Sequence, residues 1–223
     1  MLSYVFMKIL ESRPRSYDRR MDAVSRGRVL AMKQTVAAEV PSGARVLEIG
    51  CGTGELGALL CARGARVEGF DRSPSMLAMA RSRIEAEGLT GQLECREMGV
   101  EGMDDLPDRA YGAVVSTLVV SELTDDERRF ALAHAFRVLQ EGGVLVLGDE
   151  VLPRSRGRRL AHAVARAPML AATYLIAGTA SRPIRDLRGE VAAAGFVVEK
   201  EERSHGDAFA LLVARRRTEE VER

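Results

Sequence analysis

Val46-Leu47-Glu48-Ile49-Gly50-Cys51-Gly52-Thr53-Gly54 is the stretch on which the fold turns. A short apolar run stops at three glycines set at alternate positions. Glycine lacks a Cβ, so the chain can turn sharply there and let a ligand approach the backbone. A helical pattern follows, at 56–62. Strand, glycine turn and helix in that order place the loop at the C-terminal edge of a first strand, where open α/β sheets bind ligands.

The same alternation continues outward. A second strand, 66–70, ends at Asp71, and Ser73-Pro74 supplies an N-cap and a first helical residue for a helix running to Glu87. A third strand spans 92–97. The Val-rich run 113–118 reads as a strand buried on both faces. Thr124 and Glu127 form a capping box for a helix ending near Leu139. Gly142-Gly143 then turns into a fifth strand at 144–148. Upstream, 24–40 reads as one helix, with Tyr17-Asp18-Arg19-Arg20 between it and an earlier one. Downstream, 153–189 lacks strand character and reads as Arg-bearing helices around Pro168. A helix at 184–194 and strands at 196–202 and 208–215 close the chain, the last two as a hairpin about His205-Gly206-Asp207. The expected architecture is an α/β Rossmann-like sheet of seven strands, mostly parallel, with helices on both faces and an antiparallel closing hairpin. The expected organisation is one domain: a helical cap (1–42), a cofactor-binding core (43–150), a helical insertion (151–190), the hairpin (191–216) and a tail (217–223).

Two ligands compete for the glycine loop. Gly52, Gly54 and Gly57 fit the G-x-G-x-x-G dinucleotide pattern, which alone is a weak signal. Asp71, 21 residues after Gly50, is placed to accept hydrogen bonds from both hydroxyls of an adenosine ribose, and this suits NAD and S-adenosylmethionine equally. Glu48 separates them. A carboxylate two residues before the first glycine repels a pyrophosphate and attracts a cation, and S-adenosylmethionine carries a sulfonium and an ammonium without any phosphate.

Glu48 to Gly54 resembles the first motif of class I S-adenosylmethionine-dependent methyltransferases. Gly69-Phe70-Asp71-Arg72-Ser73-Pro74-Ser75-Met76-Leu77 resembles their second. Val138 to Leu145 is similar to their turn before the fifth strand, with Glu141 where Pro is usual. The resemblance covers about 43–149 and the closing hairpin. It implies S-adenosylmethionine as cofactor and S-adenosylhomocysteine as product. It implies Glu48 facing the methionine ammonium, directly or through water, and Gly50, Cys51, Gly52 and Gly54 passing close to the methionine part. Asp71 would hold the ribose beside Arg72, and Met76 would pack on the adenine. Many relatives carry an Asp after the third strand; here Glu97-Met98-Gly99-Val100 stands, so the adenine edge falls to Met98, Gly99 and a backbone amide. Tyr111-Gly112 replaces a usual Phe-Asp.

Methyl transfer needs in-line approach to an already activated donor, so positioning and desolvation can suffice. A base is required only when the acceptor must lose a proton. The end of the fourth strand, 116–122, lacks the Asn/Asp-Pro-Pro-Tyr/Phe pattern of enzymes acting on adenine or glutamine amino groups. Thr117 and Leu118 would border the methionine part. Glu122, Asp149 and Glu150 are candidate substrate contacts or bases, and Tyr17, within a region that often folds over the cofactor in relatives, is a fourth candidate. Arg154, Arg156, Arg158 and Arg159, followed by Met169, Leu170 and Tyr174, read as a lid holding an anionic group, as an amphipathic pair with solvated arginines, or as a surface for peripheral contact with a membrane or a partner protein. The opening 4–12, with Tyr17-Asp18-Arg19 and Asp149-Glu150-Val151, is similar to methyltransferases associated with corrinoid proteins, which implies a corrinoid partner.

Bulk properties bound the rest. A net charge of +1 gives no electrostatic case for nucleic acid. Only three of 33 basic residues are lysine, a bias that favours Arg throughout. Cys51, Cys61 and Cys95 lack metal-ligand spacing, and His134, His162 and His205 have no metal-spaced partner, so no metal site is expected. Reduced thiols, no signal-peptide pattern and no apolar run of spanning length lead to the expectation of a cytoplasmic protein; the expected methyl acceptor is a small molecule.

Overall fold

In the computed structural model, the described residues are 18, 23, 25, 27–160 and 183–217. Successive side chains of a strand point to opposite faces, and β1 (Arg45–Ile49) shows what this does. Leu47 and Ile49 enter one apolar layer, and Val46 enters the other. The period of two therefore sends Glu48 to the Val46 face. β2 (Arg66–Asp71) and β3 (Leu93–Glu97) extend the sheet on one side of β1. On the other side stand β4 (Tyr111–Thr117), β5 (Leu139–Glu150), β6 (Phe196–Ser204) and β7 (Phe209–Arg216). The order is β3-β2-β1-β4-β5-β7-β6. The pairs from β3 through β5 are parallel, and β7 lies antiparallel to both β5 and β6. This is the expected seven-stranded Rossmann-like sheet with its closing hairpin, whose turn carries left-handed His205, Gly206 and Asp207.

Helices cover both faces. On the Val46 face, Val36 and Ala37 of α1 (Arg28–Glu39) pack with Leu56 and Leu60 of α2 (Glu55–Cys61) over Val67, Val115 and Val146. α3 (Pro74–Ala86) begins at the Ser73 cap, whose hydroxyl accepts from the Met76 amide. On the other face, α4 (Asp125–Val138) and α5 (Leu187–Ala193) contribute Leu132, Ala135, Val138 and Val191. The Thr124–Glu127 capping box that opens α4 is formed in both directions. Arg128, only 4% exposed, ties the two helices by pairing with Glu190 of α5.

Several boundaries differ from expectation. The helix expected over 24–40 is interrupted at Gly27, which sits in the left-handed region at φ 74°. Asp18, expected between helices, is itself helical. β5 begins at Leu139 rather than Val144, because Leu139 pairs in register with Tyr111 before the irregularity that follows it. Ile184 is no helix start. It bridges Val151 in parallel, and α5 begins at Leu187 after the Asp186 cap. Residues 156–160 are helical, while the remainder of the expected insertion pair, with His162, Met169, Leu170 and Tyr174, lies outside the described residues. Among the described residues no helix is long and apolar enough to cross a membrane.

Candidate active site

The parallel register carries the ends of β1, β2 and β4 to one edge of the sheet. The amides of Gly50 and Cys51 both donate to the Phe70 carbonyl at 2.9 Å, which lashes the glycine loop to β2. Asp71 completes the lashing: Oδ2 accepts from the Gly52 amide at 2.9 Å and Oδ1 from the Ser73 amide at 2.8 Å. Each oxygen spends one acceptor direction on backbone and retains another, so a half-buried carboxylate is held rigidly at the strand end with capacity for a diol. The Met98 amide donates to the Asp71 carbonyl at 3.1 Å, which brings the end of β3 alongside.

Gly50, Gly52 and Gly54 all adopt positive φ. At Gly50 the reason is sharper than backbone freedom. A Cβ there would lie 2.2 Å from Cγ2 of Val119. Val119 reaches this position because Leu118, just past β4, takes a left-handed φ of 61°. A non-glycine residue in that region is strained, and such strain concentrates at functional sites. Sequence reading assigned Gly50 to ligand approach and did not see Val119. Nothing in a Leu-Val-Val run announces a left-handed residue.

Glu48 is 1% exposed and lies beneath α2. It accepts from the Gly57 amide, and desolvation by burial pushes its carboxyl well above the ordinary range. Its Oε2 lacks a hydrogen-bond partner among the described residues. The side chain is buried against the first turn of α2. Cys51 and Cys95 meet against Gly69, where a Cβ would sit 3.1 and 3.7 Å from their sulfurs. Their hydrogen bond, reinforced by burial for Cys51, pushes the Cys51 thiol up, and as acceptor it lowers Cys95.

The remaining candidates scatter. Met76 is buried on α3. Met98 packs toward the 3-10 turn Val100–Asp105, for which Gly99 is the preceding residue. Arg72 is exposed and faces Glu127 at 3.8 Å. Thr117 is buried at the end of β4, across from the loop. Glu122 is exposed on the 3-10 turn Val120–Glu122. The view of Asp149 and Glu150 as an acid pair open to the cleft or to solvent is corrected, since both are buried. Asp149 accepts from the Ser121 amide at 3.1 Å and the Glu150 amide at 2.7 Å. It braces the 120–122 turn against β5, and burial outweighs these bonds to raise its carboxyl. Tyr17 lies outside the described residues. Among the described residues no cluster of His, Cys, Asp and Glu could hold a metal.

A seven-stranded sheet of this order, with a lashed glycine loop and an acid closing β2, is a Rossmann-like arrangement, whose strand ends are where such sheets bind ligands. Comparison with known proteins narrows the class. Residues 46–143 match the family described as methyltransferase domain. A phosphatidylethanolamine N-methyltransferase from Cereibacter sphaeroides is 36% identical over 52% of this chain and 55% of its own. A demethylmenaquinone methyltransferase from Thermus thermophilus is 39% identical over 46% of each. The chain thus spans about half the length of these curated relatives. Among solved structures, an O-methyltransferase family protein from Burkholderia thailandensis superposes with a TM-score of 0.68 at 24% identity, over 94% of this chain and 63% of its own, a likeness of fold. The core of this chain is thus similar to methyltransferase domains, in sequence over residues 46–143 and in fold over most of its length.

Proposed function

We propose that this chain transfers a methyl group from S-adenosylmethionine to a small-molecule acceptor. The observation that carries the proposal is the pair of acids flanking one glycine loop. Asp71 is fixed at the end of β2 with acceptor capacity for a ribose diol. Glu48 already takes the Gly57 amide in the first turn of α2, where a dinucleotide would place its pyrophosphate. An acid buried there occupies an amide that a pyrophosphate would need, and a ligand that brings positive charge would favour its ionised form. Bound S-adenosylmethionine supplies a methyl group on a cationic sulfur. The chain's own part is to bind and orient it, with Asp71 on the ribose, the loop 50–54 along the methionine part and Thr117 opposite.

The two curated relatives are named for phosphatidylethanolamine and demethylmenaquinone. Lipid-like and quinone acceptors are therefore the first class to screen. A corrinoid-linked pathway is a narrower reading. It rests on the likeness of 4–12, Tyr17-Asp18-Arg19 and 149–151, and neither relative above is named for such chemistry. Calorimetry with S-adenosylhomocysteine, S-adenosylmethionine and NAD, on wild type and Asp71→Ala, tests the cofactor. Saturable binding of the first two, weakened at least tenfold by the substitution, is expected. Preferential binding of NAD would overturn the reading.

A further inference from the structure

Thr53 stands between Gly52 and Gly54, whose φ values are 52° and 74°. Glycine loses more conformational freedom on ordering than any other residue, so a loop of this composition keeps one shape only if something outside grips it. Thr53 offers the grip, and at 3% exposure it is buried. Its hydroxyl donates to Asp18 Oδ1 at 2.9 Å. Arg83 of α3 donates through Nη1 to the Thr53 carbonyl at 3.0 Å and through Nη2 to Asp18 Oδ2 at 2.6 Å. The three residues close a ring across segments far apart in the chain. On the other side of the loop, the neighbouring Gly52 amide belongs to Asp71.

We propose that Asp18 and Arg83 are positioning residues for the cofactor: a clamp that holds Thr53, and through it the glycine loop, in its ligand-ready shape. The inference rests on the S-adenosylmethionine reading above. The clamp touches only the Thr53 hydroxyl and carbonyl, so it acts through the loop. Both charged side chains are only 19% exposed. A largely desolvated ion pair adds little net stability, and its value here is geometric. A loop ordered before the ligand arrives spares the ligand that ordering cost. Asp18 also makes the segment ahead of α1 part of the cofactor site, although the glycine motif lies wholly beyond it.

The test is the dissociation constant of S-adenosylhomocysteine, by calorimetry, for wild type, Asp18→Ala, Arg83→Met and the double variant. Urea midpoints establish that each is folded. Each single change should weaken binding at least tenfold, and the double should be no weaker than the worse single, because both remove one ring. Asp18→Asn, which keeps an acceptor for Thr53, should recover part of the loss. Glu87→Gln removes the partner 3.3 Å from Arg83 Nε on the exposed side and should stay within twofold of wild type. Single variants that bind within twofold of wild type, or losses that multiply in the double, overturn the clamp. Wild-type protein that binds no S-adenosylhomocysteine overturns the cofactor reading instead.

Discussion

Gly50→Ala should destabilise the protein by about 2–5 kcal/mol, and the two parts of that figure separate experimentally. Alanine in the left-handed region costs about 1–2 kcal/mol, and Gly50 sits there at φ 72°. The second part is steric. The new methyl would lie 2.2 Å from Val119 Cγ2 and 3.0 Å from Cγ1, and overpacking of this kind costs about 1–3 kcal/mol. Gly52 is the internal control, since its φ is 52° but nothing stands within 4 Å of an added Cβ. Gly52→Ala should therefore lose only the first part. In a Val119→Ala background only the Cβ contact at 3.1 Å remains, so Gly50→Ala should fall towards about 1–2 kcal/mol, giving a coupling of up to about 1–3 kcal/mol in the double-mutant cycle. The chain has no tryptophan, so urea unfolding is best followed by far-UV circular dichroism, with unchanged m-values as the condition for comparison. Equal costs at Gly50 and Gly52, or a Gly50→Ala cost indifferent to Val119, would refute the contact between the loop and the end of β4.

Asp71→Asn should weaken S-adenosylhomocysteine by roughly tenfold in calorimetry, since Asn keeps one acceptor and one charge-assisted hydrogen bond of about 1.5 kcal/mol is lost; a change under threefold would remove Asp71 from the ribose. Glu48 holds its proton in the native state to higher pH than in the unfolded chain, because burial raises its carboxyl. Unfolding then releases a proton above about pH 4.3, so this group makes stability fall as pH rises, by up to about 1.4 kcal/mol per unit. Glu48→Gln should flatten that slope above about pH 5 in thermal melts, and a slope unchanged by the substitution would count against it. Arg128→Met should cost about 2–3 kcal/mol in urea unfolding by leaving Glu190 without its buried partner. The low end of the range for a broken buried pair applies because Glu190 is 26% exposed and can hydrate.

What the sequence disclosed and what it withheld follow a physical line. Motifs whose residues act on their own neighbours were legible. Ser73 caps the helix three residues on, Thr124 and Glu127 satisfy each other, and the strand–glycine–helix order locates the loop. So were the seven strands and the hairpin, because the period of two and the buried Val runs are local signals. Contacts between remote segments were not legible. Asp18 meets Thr53 and Arg83 across 35 and 65 positions, and no spacing rule predicts that meeting. The start of β5 lies five residues ahead of the expected one because Gln140-Glu141-Gly142-Gly143 is polar and flexible in isolation, and its register is set by Tyr111 of β4.

Asp149 shows why the acceptor side resists a sequence reading more than the cofactor side does. By type and position, at the end of a parallel strand, it has the profile of a catalytic acid. In the fold its oxygens are taken by the Ser121 and Glu150 amides at 3.1 and 2.7 Å. It thereby fixes the 120–122 turn, which follows directly on left-handed Leu118 and on Val119 above Gly50. The acid is used to shape a wall. A wall of backbone and apolar side chains suits methyl transfer, in which the donor is already activated and the protein has mainly to align the reactants and exclude water. If that is the division of labour, Asp149→Asn should disturb stability and cofactor affinity together, because Asn keeps one acceptor and loses the other. A catalytic acid at this position would instead give a variant with intact S-adenosylhomocysteine affinity and an unchanged melting temperature, and with loss confined to turnover.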